Sequence, residues 1–250
     1  MVHLSYQGTD KLIFFGGKRM HKLSYTQEYF MCVVNEKGVQ FPSPLDISHN
    51  TITLCFVVGG IMELIKHGFV TYDEDKLVVA KSLDEDFSYL KPLYDDISSK
   101  LLTVLFGGDI KGVARGFWGE YTTRYLDLLL SAIGKDLMEK GYADELPAKG
   151  FLFKKIRYAP KAELVTSIIE KIRVAFLGDG DLDENTLSLV AMLDKSGIIN
   201  GYFNQDELKA IKDCLEEVRS GDKYALLKDV RKVYDSLEEE HDYWLFGMIW

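Results

Sequence analysis

The sequence predicts a mainly α-helical fold: a helical domain wrapped around a buried central helix, with a protruding β-hairpin. Three observations carry this. The run Thr51–Met62 (TITLCFVVGGIM) is apolar and charge-free. It is well short of the about 20 apolar residues a membrane helix needs, and too apolar for a wet surface. Most of the remaining chain places Leu, Ile and Val at helical spacing. Short stretches of looser alternation interrupt that period after Gly68 and around Gly150–Tyr158.

Residues 1–22 read as an irregular N-terminal arm, in which Leu12–Phe15 forms a short strand stopped by Gly16-Gly17. Residues 23–250 read as a single domain, because no linker rich in Pro, Gly and Ser divides them. The first helix starts at Ser24. Gln27 stands three residues on, the spacing of a reciprocal cap, and Gly38 closes the segment. Phe41-Pro42-Ser43-Pro44 is a rigid loop. The central helix covers roughly Asn50–His67. Gly59-Gly60 in its middle costs about 1 kcal/mol per Gly, which predicts close approach of another helix. Phe69–Tyr72 and Leu77–Ala80 flank an acidic turn and read as a short hairpin.

Beyond it, Phe87–Phe106 reads as a helix with Pro92 in its first turns or breaking it. Trp118–Glu139 carries a stripe at Leu126, Leu129, Leu130, Ile133 and Leu137, with Gly141 as its cap. A hairpin follows over Tyr142–Tyr158, its second strand being Gly150–Tyr158. Helices are then expected over Lys161–Leu177, Asp183–Lys195, Asn204–Arg219 and Lys223–Glu240. The tail Tyr243–Trp250 is apolar enough to pack on the core or to meet a membrane interface.

The net charge is −9. This balance argues against broad nucleic-acid binding, which needs a cationic surface to displace counterions. The charges are segregated: acids gather at Asp73–Asp75, Asp84–Asp86, Asp179–Glu184 and Glu238–Glu240, bases at Lys18–Lys22 and Lys149–Arg157. Such a surface can present one cationic face to anionic lipid. The three cysteines, Cys32, Cys55 and Cys214, are scattered in apolar helical patterns, as expected of reduced core thiols. No signal peptide is legible at the N-terminus.

Motifs with their own chemistry are missing. The sequence contains no G-x-S-x-G, no phosphate loop and no H-E-x-x-H. Asp179–Asn185 looks like a calcium loop, but its sixth position is Glu184 where a sharp turn needs Gly, and its twelfth is Val190 where a bidentate Glu is needed. The simpler reading is a loop in which Asp183 caps the next helix. No metal and no cofactor is expected. Met62–Val70 followed by a hairpin has the outline of a winged helix, although that helix offers few donors for base edges.

Taken together, Leu23–Glu28 with Asn35–Gly38, Ile61–Gly68, Leu137–Gly141, Phe151–Phe153, Asp183–Leu193 and Ser196–Ile199 resemble the Golgi phosphoprotein 3 family. The likeness runs from about Leu23 to Tyr234. It implies a non-enzymatic peripheral membrane adaptor that binds anionic phospholipid, phosphatidylinositol 4-phosphate in eukaryotic members, together with partner proteins, from the cytosolic face of the Golgi. It also implies that the hairpin contributes to self-association and membrane contact. Eukaryotic members hold the phosphate with a Trp and several Arg residues. At the positions aligned by the Glu63-Leu64 and Glu139-Lys140-Gly141 anchors this chain has Ser48, Val57, Asp127 and Leu130, so the usual phosphoinositide pocket is altered; none of these replaces a guanidinium.

Candidate headgroup cations are therefore Arg115, Arg124, Lys154, Lys155 and Arg157. Phe151, Leu152 and Phe153 are the candidate membrane or oligomer contacts, since apolar residues enter an interface while neighbouring cations meet phosphates. The alternatives are a soluble oligomeric scaffold that binds protein only and self-associates through the hairpin, and a winged-helix DNA binder.

Overall fold

The computed structural model describes residues 14–15, 18–19, 22–38, 48–73, 76–99, 122–149, 155–178 and 180–220. Among these the protein is mainly helical, with small antiparallel hairpins set between the helices. In the arm, β1 (Phe14–Phe15) pairs with β2 (Lys18–Arg19) across Gly16-Gly17, so the expected strand has a partner.

Helix α1 (Tyr25–Val33) opens with the reciprocal cap that Ser24 and Gln27 encode. The Gln27 amide donates to Ser24 Oγ at 3.2 Å, and the Ser24 amide donates to Gln27 Oε1 at 3.0 Å. This satisfies two of the four amides that a helix start leaves unpaired. The helix ends five residues before Gly38. Val34 is already extended, and Gly38 closes a separate turn by donating to Asn35 O at 2.8 Å.

Helix α2 (Ser48–Lys66) is the enclosed element. Ile52 and every residue from Leu54 to Leu64 are buried. It touches α1, α3 (Lys91–Ser99) and α6 (Glu184–Lys195). The paired glycines are the contact points with two of these. A methyl group on Gly59 would lie 2.6 Å from Met192 Cε of α6, and one on Gly60 would collide with Leu93 of α3. Close approach of neighbouring helices thus explains two residues that weaken an isolated helix. Tyr29 of α1 meets Phe56 of α2 edge to face, with centroids 4.8 Å apart, an arrangement that suits the ring quadrupoles.

Two helices end in the same way. The Phe69 amide donates to Leu64 O and the Gly68 amide to Ile65 O, both at 2.9 Å. After α4 (Thr122–Glu139), the Tyr142 amide donates to Leu137 O at 2.7 Å and the Gly141 amide to Met138 O at 2.9 Å. Both glycines sit in the left-handed region, at φ 71° and 78°. This is the helix stop that a Gly followed by an apolar residue encodes, and Phe69 and Tyr142 are both buried. The chain then turns straight into a hairpin: β3 (Val70–Asp73) with β4 (Lys76–Val79) after α2, and β5 (Ala143–Lys149) with β6 (Lys155–Pro160) after α4.

The segment before α3 is a 3₁₀ turn, Glu85–Leu90, so the helix expected from Phe87 starts in a tighter form. Pro92 occupies the first turn of α3, where its missing amide has no partner to lose. In α4, Leu126, Leu129, Ile133 and Leu137 are buried as their spacing predicts, and Leu130 packs against the core. Helix α5 (Ala162–Leu177) buries Leu164, Ile168, Ile169 and Ile172. Asp183 caps α6, accepting from the Thr186 amide at 2.7 Å, the role expected of it in place of a calcium ligand. Helix α7 (Gln205–Ser220) starts on the Asn204–Glu207 reciprocal cap and buries Leu208, Ile211 and Leu215. Buried side chains from Leu23 to Leu215 form one hydrophobic cluster. Cys32 and Cys55 are buried, Cys214 is half-buried, and none of the three is in a disulfide among the described residues. Burial pushes the Cys32 thiol well up, so it is a packing residue without a reactive thiolate. The expected helix at 223–240, the tail at 243–250 and the loop at 41–44 lie outside the described residues.

Candidate functional site: the hairpin face and the neighbouring groove

The second hairpin is held to the helical body at its base. Its register runs Ala143↔Pro160, Asp144↔Ala159, Glu145↔Tyr158, Leu146↔Arg157 and Lys149↔Lys155. The second strand therefore ends at Pro160, two residues later than its alternation suggests, because Ala159 and Pro160 still find partners on β5. The register shifts between Leu146 and Lys149, where Pro147 has no amide to give the ladder. Tyr142, Ala143, Tyr158 and Ala159 are buried, whereas Asp144, Glu145 and Pro147 are exposed.

Two contacts fasten this base. Gly134 of α4 lies against the Tyr158 side chain; a methyl there would sit 2.7 Å from Cγ and 2.9 Å from Cβ of Tyr158. Cβ is tied to the backbone, so the strand itself has to move to make room. Gly134→Ala is expected to lower stability by about 1–2 kcal/mol, because overpacking of roughly 1–3 kcal/mol exceeds the gain in helix propensity. Amide exchange in β5 and β6 should quicken more than in α2. Equal protection of the hairpin in wild type and variant removes Gly134 as the fastening point. The second contact is Arg157, whose Nη1 donates to Lys37 O at 2.8 Å and so links β6 to the turn after α1.

The sequence-based candidates fall unevenly on this frame. Arg157 is half-buried and already holds a backbone carbonyl, so its guanidinium has less free capacity than the sequence suggests. Lys155 is the first residue of β6, and the register sets it directly across from Lys149. Arg124 lies in the first turn of α4, away from β6 in sequence but on the helix that supports it. Arg115, Phe151, Leu152, Phe153 and Lys154 lie outside the described residues. Of the positions aligned with the family's phosphate site, Val57 is fully buried, Leu130 packs on the core and Asp127 is half-buried. A position sealed in the core cannot meet a headgroup.

Two acidic features were not legible in the sequence. The first is Glu63, 1% exposed at the C-terminal end of α2. Tyr89 donates a short hydrogen bond to its Oε1, and the opening residues of α1, Ser24 and Thr26, face the carboxyl. Burial pushes the Glu63 carboxyl up, and the hydroxyls of Thr26 and Tyr89 oppose that rise. Nearby, Asp136 of α4 accepts from Gln27 Nε2 at 2.6 Å and from Lys140 Nζ at 2.8 Å, joining α4 to α1. The sign of Glu63 in the sequence is only that it is the first charge after the apolar run.

The second feature is a groove of about 650 Å³ between α3 and α4. Tyr89, Pro92, Asp96, Leu128, Ala132 and Lys135 are among its lining residues. Asp96 is 4% exposed, and among the described residues neither carboxyl oxygen has a hydrogen-bond partner. Burial pushes this carboxyl up to about 6. Nothing in the string Tyr94-Asp95-Asp96-Ile97 separates the exposed acid from the buried one. Among the described residues no group of three or more His, Cys, Asp or Glu side chains is placed to hold a metal ion, and no helix is long and apolar enough to cross a membrane. The chain matches no protein-family model and no curated protein.

Proposed function

We propose that this chain is a non-enzymatic, peripheral membrane adaptor, working on the cytosolic side of a membrane, that meets anionic phospholipid through the β5–β6 hairpin and also binds partner proteins. The observation that supports this most directly is that the cationic and apolar run Lys149–Arg157 belongs to the β5–β6 hairpin, a combination suited to an anionic surface. The fastening of the hairpin base at Gly134 and Lys37 is compatible with the reading. The sequence at that far end, Gly150–Lys155, combines apolar and cationic residues. The headgroup is read as anionic phosphate in general; phosphatidylinositol 4-phosphate would require a pocket other than the one altered at Val57.

Vesicle flotation tests the reading. The full chain is expected to float with vesicles containing phosphatidylserine at low salt, to be released as salt screens the charges, and to stay down with neutral phosphatidylcholine vesicles. The double variant Phe151→Asp, Phe153→Asp should lose flotation while keeping its melting transition. No flotation of the wild-type chain at low salt removes the membrane role. A variant that floats normally but changes its mass in solution transfers the hairpin to self-association.

A further inference from the structure

We propose that the groove between α3 and α4 binds a small organic amine, its ammonium seated on Asp96 and its hydrocarbon stem lying against Pro92, Leu128 and Ala132. This site is separate from the hairpin and does not rest on the membrane role.

The charge pattern around the groove selects a cation. Four acids line it, Asp95, Asp96, Asp136 and Glu139, against two lysines, Lys91 and Lys135. Three of the acids already hold an ammonium: Asp95 with Lys91 at 2.7 Å, Asp136 with Lys140 at 2.8 Å and Glu139 with Lys135 at 3.7 Å. Among the described residues Asp96 holds none, and both its oxygens are buried without a donor. A buried polar group in a native fold is normally satisfied, so one left with two empty acceptor oxygens marks a place where a donor belongs. An ammonium supplies up to three donors to those oxygens.

The shape selects an organic cation over a bare ion. A volume of about 650 Å³ falls within the roughly 300–1,000 Å³ range of small-molecule sites. One carboxyl offers too few oxygens for a calcium or magnesium ion. Leu128 is 49% exposed in this otherwise charged setting, an apolar wall that an aliphatic or aromatic stem would cover. Asp96 lines the groove as well as being buried.

Titration of the full chain at neutral pH, followed by amide NMR shifts, tests this with three probes. These are n-hexylamine, 1-hexanol (the same stem without charge) and tetramethylammonium (charge without a donor hydrogen). Hexylamine is expected to saturate and to shift amides of α3 and α4. Hexanol and tetramethylammonium should bind about tenfold more weakly or worse, the ratio expected for a lost hydrogen bond to a charged group. Asp96→Asn should weaken hexylamine by a similar factor while melting no lower than the wild type, and Leu128→Ser should weaken hexylamine and hexanol alike. The proposal is overturned by shifts that never saturate, by hexanol binding as tightly as hexylamine, or by Asp96→Asn binding hexylamine as the wild type does. Should Asp96→Asn fail to fold, the comparison of hexylamine with hexanol on the wild type decides alone.

Discussion

Replacing Phe56 by Ala should lower the free energy of unfolding by about 3–5 kcal/mol, the usual result of removing a fully enclosed aromatic ring. Phe56 is 0% exposed, and its ring meets Tyr29 at 4.8 Å and Phe30 at 6.3 Å, both edge to face. The loss takes the high end of the range if the hole cannot close. Gly59 and Gly60 already bring α6 and α3 into contact with α2, leaving little room for either helix to move inward. A domain has only about 5–15 kcal/mol in hand, so the variant gives up a large share of its stability. Urea unfolding of the two proteins measures the difference. Leu128→Ala, at a half-exposed position, serves as the control and should change stability by no more than about 0.5 kcal/mol. A Phe56→Ala loss as small as the control's would mean that α2 is not enclosed.

The second large effect is a dependence on pH set by Asp96. Its native carboxyl titrates at about 6, above the ordinary value of 3.8, because burial disfavours the charged form. Between those two values the native state holds a proton that the unfolded chain has released. Stability therefore falls as pH rises through this window and levels off above it, on the order of 2–3 kcal/mol in total. Asp96→Asn cannot titrate and keeps a neutral group of the same shape. It is expected to match the wild type near pH 4 and to exceed it in stability above pH 6. Glu63 shifts in the same direction from burial but is present in both proteins, so the difference between the two curves isolates Asp96. Stability curves that run parallel across the window would show that Asp96 does not hold a proton in the native state.

The two predictions differ in how far the sequence anticipates them. Phe56 was placed in the core by its surroundings in Thr51–Met62, since a charge-free run too short for a bilayer has few places to go but inside. Asp96 was not, because α3 reads as an ordinary amphipathic helix and a single turn decides which of two adjacent aspartates faces α4. The caps behave like Phe56. Ser24 with Gln27, Asp183 with Thr186, and Asn204 with Glu207 are bonds between residues three apart, fixed by local geometry before any long-range contact forms. The ends of elements behave less well. Val34 is extended before Gly38 can stop the helix, and β6 runs on to Pro160 because Ala143 on the other strand pairs with it.

The candidate site divides along the same line. The cationic and apolar character of Lys149–Arg157 is a property of the string itself. That Arg157 binds Lys37 O, that Lys155 pairs with Lys149 in the strand register, and that Val57 is sealed inside are consequences of which elements meet. What the sequence by itself determined was the helical class, the enclosed axis Ile52–Leu64, the glycine stops at Gly68 and Gly141, and the caps. Each follows from periodicity or from bonds within about four residues. Only the tertiary structure decided which described polar groups were paired and which were left without partners, because burial and pairing depend on contacts between segments more than a hundred residues apart, such as Gln27 with Asp136 and Arg157 with Lys37.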